Sequence, residues 1–72
     1  MNAQYGPVLT AAQMEFCRVV AGCDLNIRAA GRVLYRSTGS LYYYAKKIKD
    51  QTGLDPRRFY DMQKLLDARV EG

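Results

Sequence analysis

The chain has no histidine and no tryptophan, and only two cysteines and two prolines among its 72 residues. Without histidine it lacks the commonest general base and metal ligand. Cys17 and Cys23 do not form a CxxC pair, so a zinc site has almost no candidate ligands. Six residues apart, on one helix and its exit, they are poorly placed for a disulfide and read as small buried or half-buried thiols. No apolar run approaches the roughly 20 residues that span a bilayer. Residues 1–8 lack the basic-then-apolar pattern of a signal peptide. These absences point to a cytoplasmic protein with no membrane, metal or cofactor. There is also no phosphate-binding glycine loop and no acid pair in a recognisable setting, so an enzyme is not expected. A domain this small has little room to enclose a pocket, and no small-molecule ligand is evident.

Acid is missing from one stretch in particular. Between Asn26 and Lys49 stand Arg28, Arg32, Arg36, Lys46, Lys47 and Lys49, with no Asp or Glu. The chain as a whole carries 11 basic and 7 acidic residues, a net +4. All the acids therefore lie outside that basic middle third. Such a distribution is an electrostatic footprint for a polyanion; a solvated helical face is the plainer alternative.

About half of the residues are hydrophobic, enough for one small core. Residues 1–8, with Gly6-Pro7 and no periodicity, read as a flexible lead-in, and residues 9–72 as the domain. Four helices are expected, near 10–22, 26–35, 37–52 and 55–70. Thr10 and Gln13 form a capping box, with Leu9 and Met14 as its hydrophobic staple. Met14, Cys17, Val20 and Ala21 then follow helical spacing as far as Gly22. Asn26 caps the second helix, with Ile27, Ala30, Gly31 and Leu34 on one face. Ser37 caps the third, whose buried stripe is Leu41, Ala45 and Ile48 and whose end is Gly53. Asp55 and Pro56 open the fourth, Leu54 staples to Phe59, and Phe59, Met62, Leu66 and Val70 line the inner face with Leu65 beside them. No segment alternates like a strand, so the fold class is all-α, a small four-helix domain. Leu34, Leu41 and Ile48 should be almost fully buried.

Very few residues separate helices 2 and 3, so these helices cannot lie antiparallel and must cross steeply, as in a helix-turn-helix over residues 26–52. The crossing favours a very small residue on helix 2, where Ala30 and Gly31 stand. The stretch from Asn26 to Pro56 resembles the C-terminal helix-turn-helix of PucR-type transcription regulators, itself similar to the Fis-type unit. The matching residues are Asn26, Ala30-Gly31, Leu34-Tyr35, Ser40-Leu41, Tyr43, Lys47-Ile48 and, most specifically, Thr52-Gly53-Leu54-Asp55-Pro56. Phe59-Tyr60-Asp61 and Leu65-Leu66 fit the family's closing helix. The chain departs from the family at Ser37-Thr38-Gly39-Ser40, where a His-Arg-Asn-Thr-like run is usual. It also departs at Arg36, where an apolar residue is usual, and at Ala45, where leucine is common. The resemblance implies a DNA-binding regulator, but the family's arginine and asparagine contacts have no counterpart here.

At about 100° per residue, the outer face of helix 3 carries Gly39, Tyr42, Tyr43 and Lys46, with Lys47 at its edge. The N-terminal half of such a helix enters the major groove of double-stranded DNA. Thr38, Gly39, Ser40, Tyr42, Tyr43 and Lys46 are thus the expected groove or base contacts, and Arg28, Arg32, Arg36, Ser37 and Lys47 the phosphate contacts. Tyr44 leans toward the core. The competing reading is a protein–protein interaction module that uses the tyrosine face. A homodimer is possible through Phe16 and Val19 of helix 1, or through Tyr60 and Leu65 of helix 4.

Overall fold

The computed structural model describes residues 7–71. In chain order it runs β1 (Val8–Thr10), α1 (Ala11–Gly22), α2 (Ile27–Leu34), α3 (Thr38–Thr52), α4 (Phe59–Leu66) and β2 (Arg69–Glu71). The domain is mostly helical, with one two-stranded sheet.

Three helices start where their caps predict. Gln13 N–H donates to Thr10 Oγ1 at 3.1 Å and Thr10 N–H to Gln13 Oε1 at 3.0 Å, completing the capping box of α1. Asn26 Oδ1 accepts from Ala29 N–H at 3.0 Å at the start of α2, and Ser37 Oγ from Ser40 N–H at 3.2 Å at the start of α3. α3 ends on Gly53 in the left-handed conformation, φ 79°. Thr52 reinforces this end, its hydroxyl donating to Ile48 O at 2.7 Å and accepting from Leu54 N–H at 3.1 Å.

α1 packs against both α2 and α4, and α2 against α3. The core is Leu9, Met14, Phe16, Cys17 and Val20 from the N-terminal part, Ile27 and Ala30 from α2, Leu41, Ala45 and Ile48 from α3, and Met62 and Leu65 from α4. Phe16 and Tyr44 stack with ring centroids 5.1 Å apart, tying α1 to α3. Gly31 is buried against the chain as it turns into α3. Arg36 N–H donates to Gly31 O at 2.9 Å, and a Cβ on Gly31 would lie 2.8 Å from Arg36 O.

Several expectations need correcting. The chain is not wholly helical: β1 and β2 pair in parallel, with Val8 opposite Arg69, Leu9 opposite Val70 and Thr10 opposite Glu71. Three-residue strands are too short to show alternation, and their pairing joins distant parts of the chain. Val8, expected in the flexible lead-in, is the first residue of β1; residues 1–6 of that lead-in lie outside the described residues. α4 starts at Phe59 instead of Pro56. Asp55 Oδ1 accepts from Arg57 N–H at 2.9 Å and Arg58 N–H donates to Asp55 O at 3.0 Å, so residues 55–58 close as a tight turn. Asp and Pro serve turns as readily as helix starts. α4 also ends early, at Leu66, and Val70 belongs to β2. With this shortened frame Met62 and Leu65 face inward, while Phe59, Leu66 and Val70 are exposed. Leu34 is only half-buried, at the margin of the core. Phe16 and Leu65, proposed for dimer seams, are core residues.

Candidate nucleic-acid interface

The outer face of α3 follows from its inner one. Leu41, Ala45 and Ile48 are fully buried, so Gly39, Tyr42, Tyr43, Lys46 and Lys47 are left exposed. The structure brings most of the expected contact residues to this helix or its flanks, but not to one cleft. Arg28, Thr38 and Tyr42 line one depression and Arg36, Ser40, Tyr43 and Lys47 another, on the two sides of α3.

The first is an open cleft of about 770 Å³ bounded by the start of α2 and the 55–58 turn. Arg28 and Asn26 line it from α2, Thr38 and Tyr42 from α3, and Arg57 and Arg58 from the turn. The second lies on the α1 side and is lined by Arg36, Ser40, Tyr43, Tyr44 and Lys47, with Thr10 and Gln13. Tyr42 faces the first and Tyr43 the second, so the two tyrosines form a ridge between cations. Arg32 is exposed on α2 and lines neither cleft.

Each aromatic has its own cation. The Arg57 guanidinium lies 5.6 Å from the Tyr42 ring centroid, and Lys47 Nζ lies 6.0 Å from that of Tyr43. Asp55 holds Arg57 in place through Oδ1–Nε and Oδ2–Nη2 contacts of 3.2 and 3.3 Å. Burial works against the charge on Asp55. Hydrogen bonds from the Arg57 side chain and backbone, with the charges of Arg57 and Lys49, outweigh it and hold the carboxyl below its ordinary value. The same carboxylate raises the Arg57 pKa further.

Two expected contacts are already engaged within the chain. Ser37 Oγ accepts the Ser40 N–H as the cap of α3. Lys46 pairs with Asp50 one turn on, Nζ to Oδ2 at 3.0 Å, both side chains being well exposed. A surface pair of this kind is worth little and yields readily to another anion. Gly39 has open space where a side chain would begin. Thr38 and Ser40 are half-buried.

Arg57 and Arg58 were not among the sequence candidates, and Lys49 was counted in the basic stretch without an assigned contact. Lys49 lines a third depression with Tyr42, Lys46, Asp50 and Arg57. The available signal was the Asp-Pro-Arg-Arg run. Read as a turn, it would have placed both arginines beside the N-termini of α2 and α3.

Among the described residues no helix is long and apolar enough to cross a membrane. No protein-family model, curated protein or solved structure matches the chain.

Proposed function

We propose that this chain binds double-stranded DNA, with α2 and α3 as a helix-turn-helix and the outer face of α3 in the major groove. The observation that carries the reading is the cation-lined cleft on each side of the exposed α3 ridge. A helix that enters the groove has a phosphate backbone on either flank. Arg28, Arg57 and Arg58 stand on one flank, and Arg36 and Lys47 on the other. Between them Thr38, Gly39, Ser40, Tyr42, Tyr43 and Lys46 face the base edges. The short side chains at 38–40 let the start of α3 approach closely, and the tyrosines offer apolar bodies for a thymine methyl or a sugar. The resemblance of residues 26–56 to PucR-type units agrees with a role as a small cytoplasmic regulator of transcription, not an enzyme.

The exposed tyrosine pair also suits a second reading, a module that docks another protein. Salt separates the two. Titration against random-sequence duplex at two salt concentrations should give a steep fall in affinity with salt, because counterions are released from the DNA. Arg58→Ala and Lys47→Ala, one from each flank, should each weaken binding to all duplexes alike and lower the salt slope by about 1. Absent or salt-independent DNA binding refutes the reading and leaves the protein-docking module.

A further inference from the structure

Asp55 is the one buried acid among the described residues, 6% exposed, and it lines the cation-rich cleft beside α3. Its carboxylate is turned on Arg57. Oδ1 accepts the Arg57 backbone N–H at 2.9 Å and Nε–H at 3.2 Å, and Oδ2 accepts Nη2–H at 3.3 Å. The Asp55 N–H donates to Asp61 Oδ2 at 3.0 Å, which anchors this turn to α4. Asp55 thus grips the guanidinium along one edge from a fixed base. The Tyr42 ring, its centroid 5.6 Å from Arg57 Cζ, bounds the group on another side.

A guanidinium carries five N–H donors in a planar fork. Asp55 takes the Nε–Nη2 edge. Both Nη1 donors and one on Nη2 are left, the edge that suits a bidentate oxygen acceptor. The Arg57 side chain is 48% exposed, and Arg28 and Arg58 line the same cleft. Of these three arginines, only Arg57 has its guanidinium held by other side chains among the described residues. A loose arginine must give up its rotamer freedom when it binds a phosphate. Arg57 has given up much of that freedom already.

We infer that Asp55 is a positioning residue for DNA: with Tyr42 behind it, it holds Arg57 so that the free Nη1–Nη2 edge receives one backbone phosphate bidentately. The inference rests on the duplex-binding reading above. It carries a sign opposite to simple electrostatics. By charge alone, an acid beside a polyanion weakens binding, and its removal helps. As the support of Arg57, the same acid strengthens binding, and its removal hurts.

Titration of the full chain against random-sequence duplex, for the wild type, Asp55→Asn, Arg57→Ala and the double variant, tests the inference, with helical circular dichroism confirming that each is folded. Asp55→Asn should weaken binding about three- to tenfold, the cost of ordering a freed side chain. In the Arg57→Ala background the same change should leave affinity unchanged or raise it, because only an acid is then removed. Arg57→Lys keeps the charge but not the fork. It should weaken binding by a similar factor at an unchanged salt slope. A wild type without salt-dependent binding overturns the duplex reading and the inference with it. Where the wild type binds with a steep salt slope, the inference alone falls if Asp55→Asn binds as well as the wild type or better. It falls equally if Asp55→Asn weakens binding as much without Arg57 as with it, which is what a merely loosened turn would do. If Asp55→Asn does not fold, Arg57→Lys decides: wild-type affinity in that folded variant overturns the inference.

Discussion

Replacing Gly31 by alanine sets two effects of opposite sign against each other. Gly31 lies inside α2, where alanine is favoured over glycine by about 1 kcal/mol in an open helix. Its position is not open. The new Cβ would stand 2.8 Å from Arg36 O and 3.7 Å from Leu41 Cδ1. The first of these atoms is backbone, held by the Arg36 N–H bond to Gly31 O at 2.9 Å. The α2–α3 turn must open, at an overpacking cost of about 1–3 kcal/mol, with about 0.5–1.5 kcal/mol more if that hydrogen bond is lost. The net expectation is a loss of about 1–3 kcal/mol. At about 4–8 °C per kcal/mol for a domain of this size, the melting temperature should fall by about 5–20 °C. Gly39→Ala is the matched control: its Cβ meets nothing within 4 Å, so helix propensity acts alone and stabilises by up to about 1 kcal/mol. Thermal melts followed by circular dichroism read both variants. If Gly31→Ala melts at or above the wild type, the close approach that fixes α3 against α2 is not there.

The turn itself should respond the other way at Tyr35, whose left-handed φ of 57° costs about 1–2 kcal/mol in a non-glycine residue. Its side chain is 95% exposed. Tyr35→Gly should therefore raise the melting temperature, the gain reduced by about 0.4–1 kcal/mol through the greater freedom of glycine in the unfolded chain; a lower melting temperature would contradict this. Truncating Leu41, fully buried in the middle of α3, to Ala should cost about 2–5 kcal/mol and unfold much of the population, and a near-wild-type melt would refute its place in the core. Burial pushes the Cys17 thiol up to about 11, so a disulfide reagent at neutral pH should label half-buried Cys23 promptly and Cys17 only on unfolding; two equally fast thiols would be inconsistent with the core. Because the Asp55 carboxyl titrates below its ordinary value, its pairing adds stability above an unfolded pKa of about 3.9 that is lost as pH falls through the lower folded value. Asp55→Asn should flatten that acid limb in pH-dependent melts, and an unchanged limb would count against the Asp55–Arg57 pair.

The features legible in the sequence were the local ones. Thr10 with Gln13, Asn26 with Ala29, Ser37 with Ser40 and Gly53 each act within about one helical turn, so residue type and spacing suffice to find them. The inner and outer faces of α3 were equally readable, because a rigid helix fixes the direction of Tyr42 once Leu41 and Ile48 are known to be inside. The rest depended on what distant parts of the chain do to one another. Nothing near Val70 announces a strand, because its partner is Leu9. Asp55-Pro56 fits a helix start or a turn equally well in isolation. Asp61 biases it: its Oδ2 accepts the Asp55 N–H at 3.0 Å, a bond that brings the first turn of α4 back onto the 55–58 turn. That one choice moves Arg57 and Arg58 from a helix flank to the cleft beside α3.

The two connections around α2 show why spacing alone could not place the candidate site. Asp24 and Leu25 before the helix, and Tyr35 after it, all have positive φ without being glycine. Leu25 is held there by its N–H bond to Val20 O at 2.8 Å and by packing on the core. Tyr35 N–H in turn reaches Gly31 O to end α2. Each left-handed residue reverses the chain sharply, so that α2 leaves α1 at once and α3 leaves α2 after only three residues. Glycine or asparagine would mark such turns in a sequence, and neither stands at these positions. The strain is a large fraction of what a core of this size supplies, about 3–5 kcal/mol for domains below 70–80 residues, and it persists because the packing around it holds the backbone in place. What it secures is the placement of α2 against α3, and with it the separation of Arg28 on one side of the tyrosine ridge from Arg36 and Lys47 on the other.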